Sequence, residues 1–248
     1  MLKKSLLLFF IVPFIVSSTA YGKNFELATG EWAPYVSEAM PEGGPTAKIV
    51  AAALSAAGHT ATFQYMPWKR TEVLTQQGKV VGTFPWSMSD SFKDVTYEST
   101  PLAHQRMVFF FLKEKLQGWD FTGLDELKKL KIAGSLGYSY VDIFKDAGIT
   151  PIYVDNINNS LKMMITGRAD VVPESQLVGW KTIKDNFASD VSKIDSSKTP
   201  LFVKPLYLII SKAHPDGEEL FKEFEKGFKI IQENGSLKKI QEEYGLSE

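Results

Sequence analysis

Short apolar runs and stretches of helical spacing alternate along this chain, in an order that occurs twice. Phe25 to Thr29, Thr60 to Tyr65 and Val80 to Phe84 are brief and rich in β-branched and aromatic residues, which predicts strands. Between the first two, Gly44-Pro45-Thr46 opens a helix whose Ile49, Val50, Ala53 and Leu54 fall on one face. It runs through Ala57 and stops at Gly58. A second, shorter helix is expected over Arg70 to Gln77, ending at Gly78. Met107 to Leu112 is apolar throughout and too short for a helix, so it reads as a buried strand.

The alternation then starts again. Lys131 to Gly134, Pro151 to Val154 and Ala169 to Val172 are expected strands, separated by helices over Ser139 to Ala147 and Asn159 to Thr166. A second isolated apolar run, Leu206 to Ile210, is followed by amphipathic helical stretches at Gly217 to Asn234 and Ser236 to Tyr244. Two βαβ-type units bracketed by two lone strands imply an α/β fold of two lobes joined by a two-strand hinge. We expect residues 23–110 and 206–248 to form lobe one and residues 111–205 lobe two, with the C-terminal helices returning to lobe one.

The N-terminus has the pattern of a signal peptide over residues 1–22. Lys3 and Lys4 precede an apolar stretch from Leu6 to Val16, and small residues Ser17, Ser18 and Ala20 follow. That stretch, interrupted by Pro13, is well short of the roughly 20 residues of a spanning helix. The chain has no cysteine, so disulfides and a lipid-anchored cysteine are excluded. The expectation is a freely soluble protein of the bacterial periplasm. Formal net charge is −1 over the whole sequence, and both signs are scattered, a distribution that gives no nucleic-acid footprint.

Candidate chemistry centres on tryptophan. Trp32, Trp68 and Trp86 each adjoin a proline or precede one by two positions, and each follows a predicted strand. Three indoles gathered where sheet strands end describe an aromatic-lined ligand site. The reading for any one of them alone is packing.

The order and spacing of these segments resemble the family 3 periplasmic solute-binding proteins, the extracellular receptors of polar amino-acid ABC importers. The marks are Trp32-Ala33-Pro34-Tyr35, Pro67-Trp68-Lys69-Arg70, Phe84-Pro85-Trp86-Ser87, Ser99-Thr100-Pro101-Leu102, Leu130 to Gly137, and Gly167-Arg168-Ala169-Asp170-Val171-Val172. The resemblance covers essentially the whole mature chain. It implies the two-lobe periplasmic-binding-protein fold of type II, a small-molecule ligand, an ABC permease in the inner membrane as partner, a monomer and no cofactor.

It also implies site residues. Trp32 and Trp68 hold the positions that sandwich the ligand, with Tyr35 beside them. Phe84, Trp86 and Ser87 hold positions that contact its polar ends, although only Ser87 offers a hydroxyl and Pro85 has no N–H. The arginine that grips a ligand carboxylate is replaced by Phe92, so Arg70 and Arg106 are candidate substitutes. In lobe two the acid that receives an ammonium group falls at Ser175, with Glu174 one residue away, and Ser139 begins a helix suited to an anion. With both ends of the amino-acid clamp altered, the expected ligand is partly apolar or cyclic.

Two other readings use the same scaffold. One is a ligand-sensing module for a membrane sensor. The other is an enzyme related to a dehydratase of cyclic carboxylic acids, for which Glu31, Asp90, His104 and Glu174 are the acid–base candidates. No nucleophile elbow, His-Glu-x-x-His or histidine spacing for a metal is present, so no metal and no catalytic residue is expected.

Overall fold

The computed structural model describes residues 22–135, 138 and 140–246; residues 1–21, all but the last of the expected signal peptide, and Ser139 lie outside them. The first unit runs β1 (Asn24–Thr29), α1 (Pro45–Ala56), β2 (Thr60–Tyr65), α2 (Trp68–Gln76) and β3 (Gly82–Trp86). β1 pairs in parallel with both β2 and β3, as right-handed crossovers through α1 and α2 allow. A short β4 (Thr96–Glu98) leads to the long β5 (Ala103–Leu112).

The second unit follows as α3 (Leu124–Leu127), β6 (Ala133–Ser135), α4 (Tyr140–Asp146), β7 (Ile152–Val154), α5 (Ile157–Ile165), β8 (Val171–Ser175) and α6 (Gln176–Asn186). Then come β9 (Ile194–Ser196), β10 (Phe202–Ser211), α7 (Gly217–Glu233) and α8 (Ser236–Tyr244). β6 and β7 are parallel, and Ile132 bridges to Val171 of β8.

β5 and β10 connect the two units. The first half of β5 pairs antiparallel with the first half of β10, from Ala103 opposite Leu206 to Met107 opposite Phe202. Beyond that ribbon each strand changes partners. β5 continues along β8 and β9, while β10 continues along β3 and β4. Both hinge strands are therefore longer than the apolar runs predict. His104, Gln105 and Arg106 in one, and Lys204 in the other, are the polar residues of the crossing.

Side-chain alternation accounts for the two layers of lobe two. Met107, Phe109 and Phe111 point to one face of β5, against Tyr140 and Phe144. Val108, Phe110 and Leu112 point to the other, against Leu161 and Ile183. In lobe one Phe25, Leu27, Ile49, Val50, Leu54, Leu208 and Phe224 form a single core, each fully buried aliphatic or aromatic side chain contributing roughly 1.5–3 kcal/mol. α7 lies directly on α1, and Gly227 permits it: a Cβ there would sit 1.8 Å from the Ala53 carbonyl oxygen. No described helix is long and apolar enough to cross a membrane.

Candidate functional site

Lobe one brings Trp68 and Trp86 together at the ends of its strands. The rings meet edge to face with centroids 5.2 Å apart, and Trp86 meets Phe92 the same way at 5.2 Å. Edge-to-face contact places the positive rim of one ring on the negative face of the next. Each indole is also held by its N–H. Trp86 donates to Thr83 Oγ1 at 3.0 Å and Trp68 to the Glu31 carbonyl at 3.2 Å. Trp68 lies flat against the backbone at Gly30, where a Cβ would come within 2.4 Å of the ring. The chain turns there from β1 into the loop carrying Trp32, so a side chain at residue 30 would displace the indole.

Trp32 stacks obliquely on Tyr35, with centroids 4.5 Å apart, and packs against both the lobe-one core and a small cluster at the lobe seam. That cluster joins Tyr35, Ala103 and Leu206 to Val178 of α6. Tyr35 is buried, and its hydroxyl lies 3.2 Å from Ser175 Oγ and donates to the His104 carbonyl at 3.3 Å. Burial, followed by the charge of Glu174, raises its pKa to about 12 against the lowering effect of the Ser175 hydroxyl. Tyr35 and Ser175 thus form a direct polar contact across the two lobes.

Glu174 is the most perturbed acid of the site. It is 1% exposed, its Oε1 accepts from the Ser175 backbone N–H at 2.7 Å, and Oε2 has no hydrogen-bond partner among the described residues. Burial pushes its pKa up to about 8, against the lowering effects of the Ser175 N–H and the neighbouring Tyr138 hydroxyl. Tyr138 and Tyr140 are raised in turn, first by burial and then with Glu174 among the causes. At neutral pH this carboxyl is protonated, with three tyrosines around it.

The remaining candidates are scattered. Phe84 is buried in the lobe-one core, edge to face with Phe63 at 5.0 Å, and its carbonyl accepts from Thr29 Oγ1 at 2.6 Å. Phe92, which the resemblance sets at the carboxylate-grip position, is also fully buried and packs against Trp86. Ser87 Oγ donates to the Pro205 carbonyl of the hinge at 3.3 Å. Arg70 is exposed on the first turn of α2, and Arg106, on the hinge, donates to the Lys198 carbonyl. Ser139 lies outside the described residues. Of the acid–base candidates, Glu31 accepts from the Glu38 backbone N–H at 3.0 Å, while Asp90 and His104 are exposed.

A cavity of about 350 Å³ opens at the lobe seam, lined by Tyr35, His104, Arg106, Gln176, Leu177, Val203, Gly245 and Leu246. Leu246 and Leu177 bring no chemistry that a sequence pattern could flag; they meet only because α8 ends beside the start of α6.

Sequence comparison finds no family model and no curated protein that matches the chain. Solved structures match it along most of its length. The GluR0 ligand-binding core of Nostoc punctiforme in complex with L-glutamate superposes with a TM-score of 0.69 at 15% identity, over 89% of this chain and 98% of that one. The L-cystine solute receptor of Neisseria gonorrhoeae, in its unliganded open conformation, gives 0.66 at 19% identity, over 90% and 92%. A histidine kinase sensor domain with similarity to periplasmic binding proteins gives 0.68 at 16% identity, over 89% and 95%. The chain therefore has the mixed α/β type II periplasmic-binding-protein fold, which it shares at low identity with an L-glutamate-binding core, an L-cystine solute receptor and a sensor domain.

Proposed function

We propose that this protein is an exported solute-binding protein of the periplasm. It captures a small, partly apolar or cyclic ligand between its lobes and delivers it, as a monomer, to an ABC permease in the inner membrane. The observation that carries the reading is the aromatic rim of lobe one, in which Trp68, Trp86 and Phe92 interlock while Phe92 stands where a carboxylate-gripping arginine is expected. Trp32 and Trp68 stack on the ligand, each aromatic pair adding roughly 0.5–1.5 kcal/mol beyond area burial. Micromolar affinity needs about 8 kcal/mol, so apolar burial on closure supplies most of the remainder. Ser87 is the partly exposed polar group at hand to orient it, while Ser175 and Glu174 are buried at the seam.

A sensing role is the second reading, favoured by one observation: a histidine kinase sensor domain shares the fold over most of both chains. Both readings require capture without chemistry. The reading without chemistry is supported by the matched structures, a ligand-binding core and a solute receptor, and by the acid–base candidates Glu31, which accepts from its own loop, and Asp90 and His104, which are exposed.

Isothermal titration with the standard amino acids tests the ligand class. Glutamate, glutamine, arginine and histidine should not bind at micromolar concentration, because an ungripped, desolvated carboxylate costs about 1–3 kcal/mol or more. A low-micromolar dissociation constant for any of the four refutes the apolar reading. Loss of that binding in Arg70→Ala or Arg106→Ala would identify a substitute grip.

A further inference from the structure

We propose that the cavity at the lobe seam is a second ligand site, separate from the tryptophan-lined cleft, for a small carboxylate with an apolar body. Its volume of about 350 Å³ is sufficient for a compact organic molecule. Its walls come from both lobes and the hinge ribbon. Tyr35 and Leu246 belong to lobe one, His104, Arg106 and Val203 to the hinge ribbon, and Gln176 and Leu177 to α6 of lobe two. Trp32, Trp68, Trp86 and Ser87 do not line it, and of the residues expected at the cleft only Tyr35 and Arg106 do; assigning Arg106 here takes it out of the cleft, and the inference does not otherwise rest on the function proposed there.

The chemistry of the walls selects the occupant. The Tyr35 ring, Leu177, Val203 and Leu246 offer apolar surface, and Val203 is an aliphatic side chain left 49% exposed near the start of a hinge strand. At one side stands a guanidinium. Arg106 makes one hydrogen bond among the described residues, to the Lys198 carbonyl, which leaves most of its five N–H donors uncommitted. His104 and the Gln176 amide add donors, and among the described residues no Asp or Glu lines the cavity. Arg106, the one Lys or Arg among the described lining residues, therefore gives the walls a positive bias. Arg106 and Val203 are directly opposed in the β5–β10 register and so share one face of the ribbon, which puts the charged and the apolar ends of the site side by side. A carboxylate on a ring or short hydrocarbon matches that pairing, and the guanidinium fork suits it better than a neutral group.

An occupant would touch both lobes and both hinge strands at once. Its affinity would differ between open and closed forms, which links this site to the cleft.

The test uses the mature, ligand-free chain and its three histidines, His59, His104 and His214. Imidazole resonances are followed by carbon–proton NMR, with His104→Gln identifying the cavity signal. Benzoate is the probe and benzamide its uncharged counterpart. Benzoate should shift the His104 signal saturably in the millimolar range or below, and benzamide should bind about tenfold more weakly. Arg106→Gln should weaken benzoate by about tenfold or more, and so should Leu246→Asp, which places a negative charge on the wall near the chain end. If Arg106→Gln fails to fold, Leu246→Asp decides alone. The proposal is overturned by the absence of a saturable shift, by equal binding of benzamide, or by unchanged affinity in the decisive variant. Loss of the shift in Trp68→Ala would place benzoate in the cleft and also overturn it, without bearing on the cleft's own function.

Discussion

Replacing Glu174 by glutamine should stabilise the protein, and by an amount that grows with pH. The carboxyl is 1% exposed, has an unpartnered Oε2 among the described residues and titrates at about 8 in the fold, against 4.5 for the free side chain. Between those values the folded chain holds a proton that the unfolded chain has released. Stability contributed by this group is thus complete below pH 4.5 and is lost as pH rises through about 8. At 1.36 kcal/mol per unit, the loss is on the order of 3 kcal/mol at pH 7 and 5 kcal/mol above pH 8. Glutamine escapes it, because its amide is neutral at every pH while its Oε1 can still accept from the Ser175 N–H, a bond of 2.7 Å in the native chain. Urea unfolding of both proteins from pH 5 to pH 9 measures the difference directly, and other titrating groups cancel in the comparison. The variant should gain a few kcal/mol over the native protein at pH 8 and little at pH 5. A difference that does not change with pH, or a variant less stable at pH 8, would refute the assignment of a buried neutral acid.

Other substitutions separate the cleft from the scaffold. Trp32→Ala and Trp68→Ala should each weaken ligand binding by roughly 1–3 kcal/mol, read by titration calorimetry or tryptophan fluorescence. Trp180→Ala, whose ring meets Phe110 edge to face at 5.4 Å inside lobe two, should chiefly lower the unfolding midpoint, and equal affinity losses at all three positions would discredit the stacking site. Gly30→Ala should weaken binding like Trp68→Ala, since the new Cβ would come within 2.4 Å of the Trp68 ring and push it from its seat; unchanged affinity would show that this placement is unimportant.

Many helices and strands were legible in the sequence because their signals are local. The helix opened by Gly44-Pro45-Thr46 appears as Pro45–Ala56, and the run at Thr60 to Tyr65 is β2 to the residue. Where the reading fell short, tertiary pairing had overridden composition. The hinge strands begin at Ala103 and Phe202, several residues before the apolar runs, because their first halves lie in a two-stranded ribbon where His104, Arg106 and Lys204 can reach solvent. The helix expected from Asn159 starts at Ile157, since the Asn156 side chain accepts from the Asn159 N–H and caps it. Contacts between distant segments were beyond reach. Nothing in the sequence announces that Leu246 meets α6, or that Tyr35 reaches Ser175, 140 positions away.

The central claim, capture of a partly apolar small molecule on the tryptophan rim, is tested most directly by what the protein carries. Mature protein recovered from the periplasm and denatured should release a cyclic or partly apolar compound detectable by mass spectrometry. That compound should rebind the native chain and bind Trp68→Ala about tenfold or more weakly. Release of glutamate, glutamine, arginine or histidine in stoichiometric amount, or rebinding unaffected by Trp68→Ala, would contradict the account.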